Sequence, residues 1–270
     1  MTFRFVVNPR WADLPNCSAL LHGFPRDYSV SDYRTTLSIK TVRRGSAWYE
    51  TPDGRYLVTP ETFLVLNEGQ HYAMEVDAAS GTETFCPFFQ PGFVPTGEFP
   101  ERLYPMMGGV ADALRSFGTA PLEDSFYDLA GALTVLRGDA RKESDSFPGL
   151  RASTRQEMYR RLYRARDFLY SCYRDPVTVA DAARIAAMSP FHFQRMFKSA
   201  FGVTAMQFVQ RRRLATARHL LTTTEEDVTS VCLAVGFESL GSFSALFKRE
   251  FGVPPSKVRV WSAAPRRRFR

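Results

Sequence analysis

Four histidines and four cysteines are the side chains of this chain best suited to hold a metal or to attack a substrate. Their placement argues against both roles. A non-haem iron or manganese centre needs roughly three imidazoles and a carboxylate converging on one face. His22, His71, His192 and His219 are scattered, two of them in the C-terminal half. Cys17, Cys86, Cys172 and Cys232 form no CxxC and no zinc spacing, so reduced cytosolic thiols are the default. No GxSxG, P-loop or dinucleotide-binding glycine pattern is present. No metal and no cofactor are therefore expected, and catalysis is a distant reading. Hydrogen-bonding side chains are better placed. The segment MFKSAFGV (Met196–Val203) returns fifty residues later as LFKREFGV (Leu246–Val253). Around the first copy, an apolar face of Phe193, Met196, Phe197 and Ala200 leaves Phe191, His192, Gln194, Arg195 and Lys198 pointing outward. Arginine pairs bidentately with guanine, glutamine with adenine, and an aromatic ring meets a thymine methyl.

The repeat extends to the elements that must hold these side chains. Val179–Ala183 is matched by Val228–Cys232 at an offset of 49, so the second turn holds one more residue. Each unit reads as short helix, tight turn, longer helix. Thr178 with Asp181 three residues on is close to a capping box. Val179, Ala182, Ala183 and Ala186 give a narrow face of small residues that a second helix can cross closely. Ser189-Pro190 start the longer helix as cap and first residue, and Gly202 ends it. In the second unit Ser239 is the cap and Gly252 the stop. Met206–Leu221 reads as one connecting helix that fixes the distance between the two longer helices. Two helix-turn-helix units in one chain can enter successive major grooves of DNA without a partner.

SPFHFQRMFKSAFGV (Ser189–Val203), RRLATARHLL (Arg212–Leu221) and VCLAVGFESLGSFSALFKREFGVPPSKVR (Val231–Arg259) carry a resemblance. Met158–Arg259 resembles the DNA-binding domain of AraC/XylS-type transcription regulators. The resemblance implies a double helix-turn-helix fold that binds promoter or operator DNA. It implies Phe191, Gln194 and Arg195 as base-facing residues of the first unit, with Leu240, Gly241, Ser242 and Ala245 at the matching positions of the second. Base contacts are expected from Phe191, Gln194, Arg195, Leu240 and Ser242. Backbone contacts are expected from Ser189, His192, Lys198, Gly241, Lys248 and Arg249. The second set is nearly bare of hydrogen-bonding groups, unlike the more polar family pattern, so the first unit is expected to dominate reading. Ala187 is a further departure, since the first turn often has glycine.

Charge is divided by halves. Residues 1–150 carry 13 basic and 19 acidic side chains, a net of −6; residues 151–270 carry 22 and 9, a net of +13. The nucleic-acid footprint is thus expected in the second half, and the tail Pro265–Arg270 is expected to be disordered and to touch phosphates. No run of about 18 apolar residues exists and the first residues are too short for a signal peptide, so a cytoplasmic protein without membrane contact is expected.

The first hundred residues read as β-structure. Thr35–Arg43, Ala47–Tyr49, Tyr56–Thr59, Phe63–Asn67, Tyr72–Val76 and Thr84–Phe89 are short and rich in Val, Tyr, Phe and Thr. Asp53-Gly54 is a strong hairpin signal between Trp48-Tyr49 and Tyr56-Leu57. Gly45–Val76 is similar to the cupin-type effector barrel that often precedes this DNA-binding domain. LVTPETFLVLNEGQHYAMEV (Leu57–Val76) carries that likeness, with Pro60-Glu61 departing from the usual Gly-Asp. A small-molecule effector is expected inside, against Arg43, Trp48, Tyr49, Tyr56, His71 and Tyr72, with Phe85 and Glu50 as further candidates. Only one face of each strand can look inward, so about half of these must point away. Two alternatives stay open: a barrel that only dimerises and holds no ligand, and a cupin enzyme fused to the DNA reader. Val110–Phe117 and Glu123–Leu136 read as helices. The expected fold class is α+β multidomain. Its parts are a cupin-like β-barrel or jelly roll over 1–105, a helical dimerisation segment over 106–138 and a linker over 139–153. An all-α domain over 154–260 follows, with units at 178–202 and 227–252, and then a basic tail over 261–270. A homodimer is expected, with RNA polymerase as a further partner.

Overall fold

In the computed structural model the described residues are 2–8, 17–24, 29–76, 81–94, 97–147 and 151–262. The tail Pro265–Arg270 lies outside them. The chain divides into two compact units, Met1–Phe168 and Leu169–Arg270.

The first unit is a two-sheet β-structure followed by helices. Strands β1 (Phe3–Val7), β2 (Ser18–Gly23), β4 (Ser38–Lys40), β5 (Val42–Arg44), β8 (Thr62–Leu66), β10 (Glu83–Phe88) and β11 (Leu103–Pro105) form a seven-stranded sheet. Its order is β1-β2-β10-β4-β8-β11, with β5 also on β10; β1 and β2 are parallel and the other pairs antiparallel. Strands β3 (Ser29–Arg34), β9 (His71–Val76), β6 (Ala47–Glu50) and β7 (Arg55–Val58) form the second sheet, in the order β3-β9-β6-β7. The hairpin signal is met: Tyr49 pairs with Tyr56 and Glu50 with Arg55 across the Pro52–Gly54 turn. The run Thr35–Arg43 is two strands, broken at Thr41, whose backbone carbonyl instead accepts from Phe85 N–H at 3.1 Å.

Helices α1 (Gly108–Ser116) and α2 (Leu122–Asp145) cover the outer face of the larger sheet. Leu20, Ile39, Phe63, Val65, Phe85 and Phe89 from the sheet join Val110, Leu114, Phe126, Leu129 and Leu133 in one core. At roughly 1.5–3 kcal/mol for each large apolar side chain removed from water, this is the main stabilising layer of the unit. The apolar stripe of α2, which begins within the segment expected to dimerise, is buried within this chain. Helix α2 also runs through Asp145, into the segment 139–153 expected to be a linker. Ala140 and Ser144 continue its buried side, and Glu143 forms an ion pair with Arg102 at 3.0 Å.

Helix α3 (Ala152–Ser171) belongs to the first unit up to Phe168, so the unit boundary falls inside it rather than at residue 154. The reason lies at β11. That strand pairs with β8 along one edge only. On its other edge Leu103 N–H donates to Asp167 Oδ2 at 2.7 Å, and Arg166 donates to Leu103 C=O at 2.6 Å. Two side chains of α3 thus satisfy a strand edge that would otherwise lack partners.

The second unit is all helical: α4 (Val179–Ile185), α5 (Pro190–Phe201), α6 (Ala205–Thr223), α7 (Val228–Ala234), α8 (Leu240–Phe251) and α9 (Pro255–Ser262). The connecting helix α6 starts on a capping box, Thr204 with Gln207, and buries Val209, Leu214, Ala217 and Leu221. Leu214, Ala217 and Leu221 pack on Val231, Cys232, Phe243 and Phe247 of the second helix-turn-helix.

Candidate nucleic-acid interface

Both helix-turn-helix units are built to one plan. Thr178 and Asp181 form the expected capping box on α4, and Asp227 caps α7 by accepting from Thr229 and Ser230 N–H at 2.8 and 3.0 Å. The turns match bond for bond. Ala187 N–H donates to Arg184 C=O and Met188 N–H to Ala183 C=O, at 3.0 and 2.9 Å. Gly236 and Phe237 repeat this to Leu233 and Cys232 at 3.0 Å each. Both central residues have positive φ, 50° at Ala187 and 89° at Gly236. The alanine therefore does not alter the turn; it sits in the left-handed region at a cost. A Cβ on Gly236 would stand 2.5 Å from the Arg174 carbonyl oxygen, so glycine is required there for a second reason. The extra residue of the second unit, Glu238, follows this turn and precedes the cap Ser239.

Helices α5 and α8 are held by a repeated ladder of rings. Phe197 lies 5.3 Å from Phe193 and 4.6 Å from Phe201; Phe247 lies 5.5 Å from Phe243 and 4.6 Å from Phe251. Ser189 caps α5 by accepting from His192 N–H, and Ser239 caps α8 by accepting from Ser242 N–H, each at 3.4 Å. Gly202 and Gly252 close the two helices in the left-handed conformation. On α5, Phe191 is 79% exposed, and Gln194, Arg195 and Lys198 are exposed. His192 is half-buried, with Nδ1 3.5 Å from the Arg195 guanidinium. On α8, Leu240, Gly241, Ser242, Ala245, Lys248 and Arg249 are exposed. The first helix thus exposes an aromatic ring, an amide and a guanidinium, and the second exposes methyl groups and one hydroxyl beside its cations.

Not all of the basic surplus faces outward. The Arg212 guanidinium stacks 4.2 Å over the Tyr170 ring, and Arg213 donates to the Tyr173 and Asp175 carbonyls at 2.6 and 2.8 Å. These two arginines tie α6 to the end of α3. The run RRR gave no sign of this in sequence, because charge alone does not tell a stacked guanidinium from a solvated one.

Residues 182–260 match the family described as a helix-turn-helix domain. The HTH-type transcriptional activator RhaS of Yersinia pestis (strain Pestoides F) is 34% identical over 99 residues, 37% of this chain and 36% of that protein. The "Probable transcriptional regulator LumQ" of Photobacterium leiognathi is 33% identical over 85 residues, 32% of this chain and 34% of that protein. Over this C-terminal domain the chain is similar to transcriptional regulators of helix-turn-helix type. The chain spans about a third of the length of these curated relatives. Among solved structures, an AraC-type transcriptional regulator from Chromobacterium violaceum aligns over 43% of this chain and 99% of its own length. Its identity to this chain is 25% and its TM-score 0.36.

The helix-turn-helix domain is preceded by the two-sheet unit, where the six effector candidates separate by strand alternation. Tyr49, Tyr56 and Tyr72 are buried. Arg43, Trp48 and His71 do not face the space between the sheets. Arg43 is exposed and lies 3.6 Å over Phe85, a ring of the core beneath α1 and α2. Trp48 is stacked under Arg55 on the outer face at 4.5 Å. His71 is exposed and bonded to Asp32 at 2.8 Å. Glu50 is exposed as well. Of the six, Tyr56 alone lines a polar cleft of about 1070 Å³, with Asp53, Glu101, Arg137, Arg160 and Arg164 among its other walls. Within it Glu101 accepts from Thr51 and Gln70, and burial raises its carboxyl above the usual range. Sequence reasoning missed Lys40, buried beside Tyr72 and Phe88. The signal available was its position in an apolar strand one residue after Ile39. Among the described residues no group of three or more His, Cys, Asp or Glu side chains is placed to hold a metal, and no helix is long and apolar enough to cross a membrane.

Proposed function

We propose that this chain is a transcription regulator that binds promoter or operator DNA through α5 and α8, with its N-terminal unit sensing a small molecule. The observation that carries the reading is the pair of matched helix-turn-helix units, one of which presents Phe191, Gln194 and Arg195 to solvent at the start of its reading helix. Arg195 and Gln194 are the bidentate readers, Phe191 and Leu240 meet thymine methyl groups, and Ser242 supplies one hydroxyl. Ser189, His192, Lys198, Gly241, Lys248 and Arg249 hold the phosphate backbone, which positions the protein without specifying sequence. Ligand in the first unit changes which half-sites the two readers occupy, by favouring one arrangement of the chain over another. The likeness of residues 182–260 to domains of transcriptional activators supports DNA as the partner. A homodimer is kept in the proposal. Its interface must use faces other than the buried stripe of α2, and Tyr127 and Val135, 52% and 64% exposed, are the apolar groups that α2 leaves to solvent. RNA polymerase is the partner an activator requires.

The test is selection of bound sites from random duplex DNA by the full chain. A defined motif that is retained at moderate salt supports the reading. Retention of all sequences alike, or of none, overturns it.

A further inference from the structure

Lys40 is 1% exposed in the middle of the first unit. Its neighbour Ile39 faces the core beneath α1 and α2, so alternation along β4 sends Lys40 into the space between the two sheets. The amine Nζ stands 3.8 Å from the centre of the Phe88 ring, on the larger sheet, and 4.2 Å from Tyr72, on the smaller. It has no hydrogen-bond acceptor. No carboxylate among the described residues pairs with it. Removing an ammonium from water without an acceptor is strongly unfavourable, and two ring faces replace only part of its hydration. A buried cation left this way in a native fold calls for a missing partner.

The chemistry of the surroundings defines that partner. The titratable groups around the amine are the phenols of Tyr72, Tyr49 and Tyr33 and the thiol of Cys86. Tyr72 packs against Tyr49 and Tyr33, each with ring centres 5.8 Å apart, and the Tyr49 hydroxyl lies 3.8 Å from Cys86 Sγ. None of these is a carboxylate. The site therefore offers one cation, hydroxyl groups and aromatic walls, and among the described residues no second cation lies over the Tyr72 and Phe88 rings to match a doubly charged ligand.

We propose that Lys40 anchors a small monocarboxylate with an apolar or aromatic body, bound between the two sheets. This rests on the sensor reading of the first unit and names the class of its ligand. Burial pushes the unliganded amine down to about 7, with the nearby Cys86 acting in the opposite direction. A carboxylate favours the ammonium form, so binding above neutral pH takes up a proton, and affinity falls about tenfold per pH unit as the amine must be recharged.

Full-length protein and Lys40→Met are compared by calorimetry and thermal melting with octanoate, benzoate and phenylacetate at millimolar concentration, and with their methyl esters. Lys40→Met keeps the length of the side chain and removes the buried charge, so it is expected to fold and to melt higher than the parent. The expected result is that at least one acid binds the parent while its ester does not. Lys40→Met then loses at least tenfold in affinity for that acid, and the heat in buffers of different ionisation enthalpy reports proton uptake at pH 8. Failure of every acid to bind, equal binding of acid and ester, or unchanged affinity in Lys40→Met overturns the proposal. So does borohydride trapping of an adduct with octanal or benzaldehyde at Lys40 when no acid binds, which would assign the amine to carbonyl compounds. Site selection on DNA with the same preparations is read separately. Loss of acid binding with DNA reading intact removes only the ligand class. Loss of DNA reading in the parent removes the regulator reading and leaves the acid measurements standing.

Discussion

On the proposed function, single side chains decide which bases are recognised. Arg195 and Gln194 can each make two hydrogen bonds to one base, a contact worth about 1–3 kcal/mol of discrimination. Leu240, Gly241 and Ala245 cannot. Arg195→Ala should therefore weaken the preferred site by about ten- to a hundredfold and relax the base preference beneath the first unit. Leu240→Ala should lose only a methyl contact, and Lys248→Ala should weaken all sequences about equally. Site selection with each variant checks this, and an unchanged motif in Arg195→Ala with a scrambled one in Leu240→Ala would reverse the assignment of the dominant reader. Lys40 gives a second prediction at this scale. Its amine is near 7 in the folded chain against 10.5 unfolded, so between those values the unfolded state holds more protons. The parent must therefore gain stability as pH rises from 7 toward 10, with the full penalty of the buried charge present below 7. Lys40→Met should be the more stable protein by a few kcal/mol at pH 6–7, and the gap should close toward pH 10. The other titratable groups are common to both proteins and cancel in the difference. Denaturant melts at four or five pH values measure it, and a gap that does not depend on pH would mean that the amine is already paired.

At the level of elements, the two turns make a matched experiment. Ala187 and Gly236 hold the same hydrogen bonds and the same hand of backbone. Ala187 is exposed, so Ala187→Gly should relieve left-handed strain and stabilise the second unit by about 1 kcal/mol. Gly236→Ala should destabilise it by about 3 kcal/mol, since strain is joined by a clash with the Arg174 carbonyl. Melting temperatures of the two variants must move in opposite directions; a shared direction would mean that the turns are not equivalent. The repeat made these helices and their caps legible, because capping residues, apolar spacing and glycine stops all agree there. The first unit was less legible. β3 reads SVSDYR and is mostly exposed, so it lacks the apolar run by which a strand is recognised. β11 is three residues long and is completed by Arg166 and Asp167, some sixty residues away. The last turns of α2 read as a charged linker, yet stay helical because Arg102 meets Glu143. Long-range partners of this kind leave no local pattern. Asp167→Ala should destabilise the first unit by about 3 kcal/mol, because it strands the Leu103 N–H and takes the buried carboxylate away from the Arg166 guanidinium. If the variant melts like the parent, the edge of β11 is held by other means.

Across the whole molecule, charge and fold divide at nearly the same place but not at the same residue. The surplus of +13 lies after residue 150, whereas the compact units part at Phe168, inside α3. The first seventeen residues of that helix fall in the first unit, where Arg166 and Asp167 hold β11, and its last residues fall in the second, where Tyr170 lies under Arg212. The same division predicts where affinity for DNA resides. A fragment from Ser153 to Arg270 keeps all of α3 but its first residue, both helix-turn-helix units and the exposed cations Arg195, Lys198, Lys248 and Arg249. It should shift promoter DNA without the first unit. Each phosphate neutralised releases counterions and contributes a slope of about −0.9 to log K against log salt, so several contacts imply a loss of about a thousandfold between 50 and 200 mM. Because Arg212 and Arg213 are engaged with Tyr170 and Tyr173, replacing them should lower the melting temperature of the fragment more than it lowers the salt slope. Replacing Lys198 and Lys248 should do the reverse, removing about one unit of slope each with little change in melting. If the fragment binds DNA only when residues 1–152 are restored, even at low salt, the footprint lies elsewhere and the charge division has another cause.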